Sequence, residues 1–485
     1  SIAVIGENAR WAQVMGGGSA AVKPHYVMSP LAGIRKRVGE QVSVAYELGT
    51  PIHRLPPLLD ASWLTTADGQ SRGLTLEYFD NLELAGKAIK TAVIQKSSLS
   101  WFGTVNPHVD LDNFSLRLRG TLTMPESGTY ELHLTGQGKS RLTLDGVLRI
   151  NNWHGSHAET EFSEFVTLDL EADQPYELVV EFCTVPNVRD RSVRIGCRPQ
   201  IEGDPIQAAV DLAAEADVAI VVAGLTHEWE SEGFDRPDMD LVGKQDELVA
   251  RVAAVNPNTV VVLNAGSPVS MPWINEVPAV LQMWYLGQET GHAVADVLFG
   301  DVNPSGKLPV TFPQKLEDNP AFINYPGENG QVHYGEGVFV GYRYYDKKGI
   351  APLFPFGHGL SYTTFDYHNL QIDGAAFGSD DQIVVSVDVT NGGDRTGQEV
   401  VQLYVHDEEA KVIRPVKELK AFAKVALRPG QTKTVSLSLN KQALAFYDPA
   451  VHDWIAEPGA FELLVGSSAT DIRLRERFEW VNQTG

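Results

Sequence analysis

The chain has 485 residues with 39 Lys and Arg against 62 Asp and Glu, and its formal net charge of −23 argues against nucleic acid and anionic membranes as partners. Its 43% hydrophobic and 21% charged content is that of a folded globular protein, and about three domains are expected because single cores seldom grow past ~250 residues. No apolar run approaches the ~20 residues of a bilayer span, and two cysteines are too few for a disulfide framework.

The opening run Ile2-Ala3-Val4-Ile5-Gly6 reads as a buried strand. It starts without Met or leader, so the sequence reads as one entered in its middle and leaves the compartment open. A Gly-rich turn, Gly16-Gly17-Gly18-Ser19, and a helical segment near Pro30 to Val38 follow. Residues 69–203 change texture to period-two alternation, as in Phe114-Ser115-Leu116-Arg117-Leu118-Arg119, broken by turns such as Leu144-Asp145-Gly146. That predicts a β-sandwich inserted into the first domain. Cys183 and Cys197 flank a hairpin-like stretch within it and are expected to be unpaired core thiols.

The first texture resumes over 204–315. Asp211 to Ala216 and Lys244 to Val255 read as helices, Val218 to Ala223 and Thr259 to Leu263 as buried strands. Ala279 to Trp284 reads as a further strand and Gly291 to Leu298 as the closing helix. With residues 1–68 this predicts a doubly wound α/β sandwich domain built on a parallel sheet. Residues 316–365, rich in Pro, Gly and aromatics, predict an irregular linker packed on the domains. From 366 to 485 alternation returns, as in Ile383, Val385, Val387 and Val389, predicting a second sandwich.

In such a sheet, ligands bind outside the carboxyl ends of the strands. Three loops share that edge: Glu7-Asn8, Thr226 to Asp235 and Ser267-Pro268. The middle one carries Glu228, Glu230 and Glu232, and crowded like charges raise one another's pKa, as a general acid requires. A solvated acidic turn is the plain alternative. The Gly16-Gly17-Gly18 turn lacks the spacing of a nucleotide-phosphate loop, and Gly266-Ser267-Pro268 lacks the second Gly of a serine-nucleophile elbow. Neither zinc-type ligand clusters nor other metal or cofactor motifs occur. Trp229, Trp101 and Phe102 are candidate sugar-contacting aromatics, while His25, His227 and His292 read as structural or exposed.

Four segments together resemble the C-terminal half of family 3 glycoside hydrolases, the β-glucosidase family. They are Gly16-Gly17-Gly18-Ser19-Ala20 with Ser29-Pro30-Leu31; Glu230-Ser231-Glu232-Gly233-Phe234-Asp235-Arg236 with Leu241 and Gln245; Gly300 to Pro309; and Pro355 to Thr363. The insertion resembles the lectin-like module first known from anthrax protective antigen, and the last domain a fibronectin type III-like module. The resemblance implies retaining hydrolysis of short β-glucosides by two carboxylates, with no cofactor. It places the acid/base on Glu230 first, with Glu232 and Glu228 as alternates, because related branches space this loop differently. The inserted sandwich is expected to sit over the site, with Trp101 or Phe102 as an aglycone wall.

The sequence also departs from the family. The nucleophilic Asp of the family lies on a (β/α)8 barrel in a Ser-Asp-Trp context, and no Ser-Asp-Trp occurs here. His452-Asp453-Trp454 falls in the last sandwich and is rejected as nucleophile. The chain is thus expected to be incomplete as an enzyme without a barrel on the same precursor or a partner chain. The rival readings are a non-catalytic carbohydrate-binding or scaffold protein, and an enzyme for β-xylosides or another β-glycoside. The sequence is compatible with a homo-oligomer.

Overall fold

The structure, a computed structural model, describes residues 1–22, 24–101, 110, 112–153, 162–185, 191–378 and 381–481. It divides into two compact units, one of residues Ser1–Pro51 with Ile206–Gly485 and the other of Ile52–Pro205.

The first unit begins with a five-stranded parallel sheet. Its strands are β1 (Ile2–Ile5), β2 (Val44–Glu47), β3 (Val218–Gly224), β4 (Thr259–Asn264) and β5 (Ala279–Gln282), in the order β5-β4-β3-β1-β2. Helices α1 (Pro30–Val38), α2 (Pro205–Glu215), α3 (Gln245–Val255) and α4 (Thr290–Leu298) cover both faces. The strands show why. Ile2 and Val4 of β1 pack with Leu31 and Ile34 of α1 and Val294 of α4. The alternate residues Ala3 and Ile5 pack with Ile206 and Val210 of α2 and Leu248 and Val252 of α3. A strand with both faces buried must be apolar throughout, which is how β1 and β3 read in sequence.

Helix α1 starts where its sequence says it should. Ser29 caps it by accepting from the Ala32 amide at 3.2 Å, Pro30 fills the first turn, and Arg35, Lys36 and Arg37 end it. It crosses α4 at a backbone contact: a Cβ on Gly33 would lie 2.1 Å from the Gly291 carbonyl oxygen. Only glycine allows that approach. Strand β2, with all four residues half-buried, was not anticipated, since an edge strand lacks the apolar run that marks β1 and β3.

The second unit is an antiparallel sandwich. One sheet joins Val147–Asn151, Lys139–Leu144, Pro175–Cys183, Ser115–Thr123, Leu74–Phe79 and Lys90–Ile94, with Leu64–Thr66 beside Ser115–Thr123. The other joins Phe162–Leu170, Gly128–Gln137, Arg191–Pro199 and Ser98–Trp101. Phe114, Leu116, Leu132, Phe182 and Ile195 fill the core between them. The unit starts earlier than the expected residue 69, because Leu64 pairs with Leu122 inside the first sheet. Cys183 and Cys197 are buried free thiols, and burial pushes Cys197 up to about 12.

The rest of the first unit holds the terminal sandwich. Three strands, Phe365–Ile372, Ile383–Asn391 and Thr432–Leu439, form one sheet. Ala376–Phe377, Ile472–Trp480, Gly459–Gly466, Gly397–Asp407 and Glu418–Leu427 form the other. The preceding Pro- and Gly-rich stretch contains a short 3-10 turn at Leu316–Asp318 and the α-helix α5 (Tyr342–Lys348), and is fastened to this sandwich. The Tyr342 ring stacks on Phe356 at 5.0 Å and meets Tyr404 edge-on at 5.9 Å. Lys307, 12% exposed, donates to the Gly359 carbonyl at 3.0 Å and to Glu399, 6% exposed, at 3.3 Å. No helix among the described residues is long and apolar enough to cross a membrane.

Candidate active site

Because the sheet is parallel, β1, β3, β4 and β5 all end on one edge, and their exit loops meet there. Two polar side chains brace these ends. Gln245 accepts from the Gly224 amide at 2.8 Å and donates to the Gly224 carbonyl at 2.9 Å, holding the last residue of β3. Asn264, fully buried at the end of β4, accepts from the Gln13 amide at 2.8 Å. Its amide donates to Gln13 at 2.9 Å and Trp284 at 2.8 Å. One side chain thus ties three connections together.

The loop after β3 carries the three glutamates. It opens with a helical turn in which the amides of Trp229 and Glu230 donate to the Thr226 carbonyl at 2.9 and 3.0 Å. Glu228, half-buried, has its amide donating to the Thr226 hydroxyl at 3.3 Å. Glu230 turns inward toward the loops after β4 and β5. Its Oε2 accepts from the Gly266 amide at 2.7 Å and from the Tyr285 hydroxyl, and its Oε1 accepts from the Ser267 hydroxyl. Burial, reinforced by Glu230, holds the Tyr285 hydroxyl well above the usual phenol range, so it remains a donor.

Glu232 lies on the opposite side of the loop and is exposed. Its Oε2 accepts from the Ser19 amide at 2.7 Å and from the Ser19 hydroxyl, and among the described residues its Oε1 has no hydrogen-bond partner. The Gly-rich turn is the seat for this side chain: Gly18 has φ +57°, and a Cβ there would lie 2.9 Å from Glu232 Oε2 and 3.1 Å from its Cβ. The turn, which lacks the spacing of a phosphate loop, seats a carboxylate of its own chain.

Glu230 and Glu232 are anchored to different partners, and the two hydrogen bonds from Ser19 hold the Glu232 carboxyl below the ordinary glutamate range, opposite to the raised value expected of a general acid.

Arg236 closes the loop. Its Nη1 donates to the Ser267 hydroxyl at 3.0 Å and the Pro268 carbonyl at 3.1 Å, and its Nη2 to the Asp240 carbonyl at 3.4 Å. Asp235 accepts from the Tyr325 hydroxyl of the aromatic-rich stretch. A separate open cleft of about 600 Å³, lined by Asp240, Asp246 and Met271 among others, contains none of the three glutamates. Among the described residues no group of three or more His, Cys, Asp or Glu is placed to hold a metal ion.

The aromatic candidates are dispersed. Trp229 packs half-buried against the core under the α2–α3 face. Trp101 is corrected to a core residue: it is 6% exposed, stacks on Phe182 at 5.4 Å, meets Phe114 at 5.3 Å, and donates Nε1–H to the Tyr78 hydroxyl at 3.2 Å. Phe102 lies outside the described residues. His292 pairs with Glu289 at 2.6 Å, while His25 and His227 are exposed. Asp453 sits exposed on the small hairpin with Phe446–Asp448 in the terminal sandwich. Ser19, Arg236, Gln245 and Ser267 stand within recognisable sequence segments but show no role there, and no local pattern marks Tyr285 or the bracing role of Asn264.

A parallel α/β domain interrupted by a β-sandwich, followed by a second sandwich and carrying a carboxylate loop at its ligand edge, defines the class of modular glycoside-hydrolase C-terminal regions. Residues 1–362 match the glycosyl hydrolase family 3 C-terminal domain and residues 399–469 the fibronectin type III-like domain, and the chain belongs to that glycosyl hydrolase family. It is 42% identical over 488 residues to a β-glucosidase of Rhizobium radiobacter, covering 97% of this chain and 58% of the relative. A probable β-glucosidase I of Aspergillus oryzae is 40% identical, with 97% and 59% covered. The crystal structure of the Kluyveromyces marxianus β-glucosidase in complex with glucose is similar at a TM-score of 0.87 and 38% identity, over 99% of this chain and 58% of that one. DesR, a β-glucosidase from Streptomyces venezuelae, is similar at 0.68 and 33%, over 99% and 56%. The chain therefore spans under two thirds of the length of these relatives.

Proposed function

We propose that the chain is the C-terminal portion of a retaining β-glucosidase that releases terminal β-D-glucosyl residues from short glucosides. It supplies the general acid/base and aglycone-side contacts. The nucleophilic Asp comes from a (β/α)8 barrel on the same precursor or on a partner chain, and the inserted sandwich is the lectin-like module of this branch.

The observation that carries this reading is a carboxylate at the ligand edge of the sheet with one oxygen uncommitted. A general acid/base must present an oxygen to the leaving group, then to water. Glu232 does so through Oε1, while Glu230 has both oxygens taken by three donors. The geometry thus favours Glu232 over Glu230 as acid/base. Its low pKa here is the expected resting state of a half-site. A second carboxylate about 5–5.5 Å away, with water excluded by sugar, disfavours the charged form and raises the pKa toward neutrality.

The test is reconstitution. The isolated chain is expected to leave aryl β-glucosides uncleaved, whereas the native assembly containing the barrel cleaves them and releases β-glucose first. Release of α-glucose, or an assembly without β-glucosidase activity, contradicts the proposal. The second result would favour the carbohydrate-binding alternative.

A further inference from the structure

Glu230, Ser267 and Arg236 meet at one hydroxyl. Ser267 donates to Glu230 Oε1 and accepts from Arg236 Nη1 at 3.0 Å, so a single side chain joins the residue before the Glu232 turn to the residue after it. Between them the chain makes a tight bridge from Ser231 to Phe234, and the Gly233 amide approaches the Ser231 hydroxyl at 3.4 Å. Both ends of this turn are therefore fixed to the same short segment after β4. Gly266 adds its amide to Glu230 at 2.7 Å, and the Pro268 carbonyl takes a second bond from Arg236 at 3.1 Å. Tyr285, from the loop after β5, donates to Glu230 as well.

The charge order is also complementary. A carboxylate and a guanidinium flank a neutral hydroxyl, which donates to one and accepts from the other, so neither charge faces an unsatisfied partner. Among the described residues, Glu232, at the tip, is held through one oxygen by two hydrogen bonds from the exposed Ser19. That one anchor residue cannot by itself fix the loop's path.

We propose that Glu230, Ser267 and Arg236 form a polar clamp that closes the neck of the loop and sets the position of Glu232, with Ser267 as its hub and all three as positioning residues. The inference rests on Glu232 being the acid/base. A loop tethered at both ends to a rigid strand exit holds its tip far better than a free loop, and a misplacement of about 1 Å costs on the order of 10²-fold in rate.

Ser267→Ala removes the hub and Tyr285→Phe removes one donor, each without adding volume. In the full chain with labelled glutamate carboxyls, both variants are expected to shift the Ser19 amide resonance and to move the Glu232 titration toward the ordinary glutamate value, with thermal unfolding little changed. In the active assembly, Ser267→Ala should lower kcat for poor leaving groups by about 10²-fold with KM nearly unchanged, and Ser267→Thr should restore much of it. Azide should not rescue Ser267→Ala, because the acid is displaced rather than absent. An unchanged Ser19 amide and Glu232 titration in both variants overturns the clamp. Azide rescue of Glu230→Ala also overturns it, since Glu230 would then be the acid. If Glu232→Ala has no kinetic effect while Ser267→Ala still moves Ser19, the proposed function has failed and the clamp keeps only its geometric part.

Discussion

Glu230 and Glu232 stand two positions apart and have opposite surroundings. The chain turns tightly between them, with Ser231 bridged to Phe234, and the one carboxylate finds Gly266, Ser267 and Tyr285 while the other finds Ser19. The acidic segment was legible in sequence, but the choice within it was not. Ser19 is 213 positions away from Glu232 and Tyr285 is 55 from Glu230, and no local pattern reports such partners. The glycine turn shows the same limit, since its composition was visible while its occupant was not.

At this scale the depressed Glu232 pKa has a definite sign. Its contribution to folding is present above the ordinary glutamate value of about 4.3 and is lost as pH falls through the lower folded value. Glu232→Gln is therefore expected to flatten the acid limb of the stability–pH curve of the full chain, measured by urea unfolding between pH 3 and 6. A second prediction concerns Cys197: with its thiol pushed to about 12 and buried, it should resist a thiol reagent at neutral pH until the protein unfolds.

Most elements follow from their own sequence. Helix α1 has a capping serine, a first-turn proline and basic final residues, and continuous apolar runs made β1, β3 and β4 recognisable. The edge strand β2 and the helix α5 lacked such signals, because the one is half-buried and the other lies within a Gly- and aromatic-rich stretch. Gly33 makes the α1–α4 crossing testable. Gly33→Ala should destabilise the chain by about 1–3 kcal/mol in urea unfolding despite alanine's better helix propensity, because its methyl would meet the Gly291 backbone. A neutral or stabilising result would mean that the helices separate freely.

At the scale of the molecule, the motif from Gly300 to Pro309 acquires a mechanical meaning. Lys307 within it reaches Glu399 on the terminal sandwich, and Tyr367 donates to the same carboxylate at 2.8 Å. Removing one partner of a nearly buried ion pair strands the other charge, so Lys307→Met should cost about 3–5 kcal/mol in the transition that unfolds this sandwich. Calorimetry should also show the Ile52–Pro205 unit melting as its own transition, since it has a separate core and its own two sheets.

The order of domains was readable from changes in hydrophobic period, and their boundaries less so. The insertion begins ahead of the shift in texture, because Leu64–Thr66 is too short to show alternation yet pairs within the first sheet. The proposed half-enzyme role rests on Glu232 Oε1, which takes no hydrogen bond among the described residues at this edge of the parallel sheet. The most direct measurement is the leaving-group dependence of Glu232→Ala in the active assembly. The expected result is a loss of about 10²–10⁴-fold on alkyl glucosides, a much smaller loss on activated aryl glucosides, and partial rescue by azide. Equal losses on both substrate classes, with no rescue, would contradict the assignment of Glu232 as the acid/base.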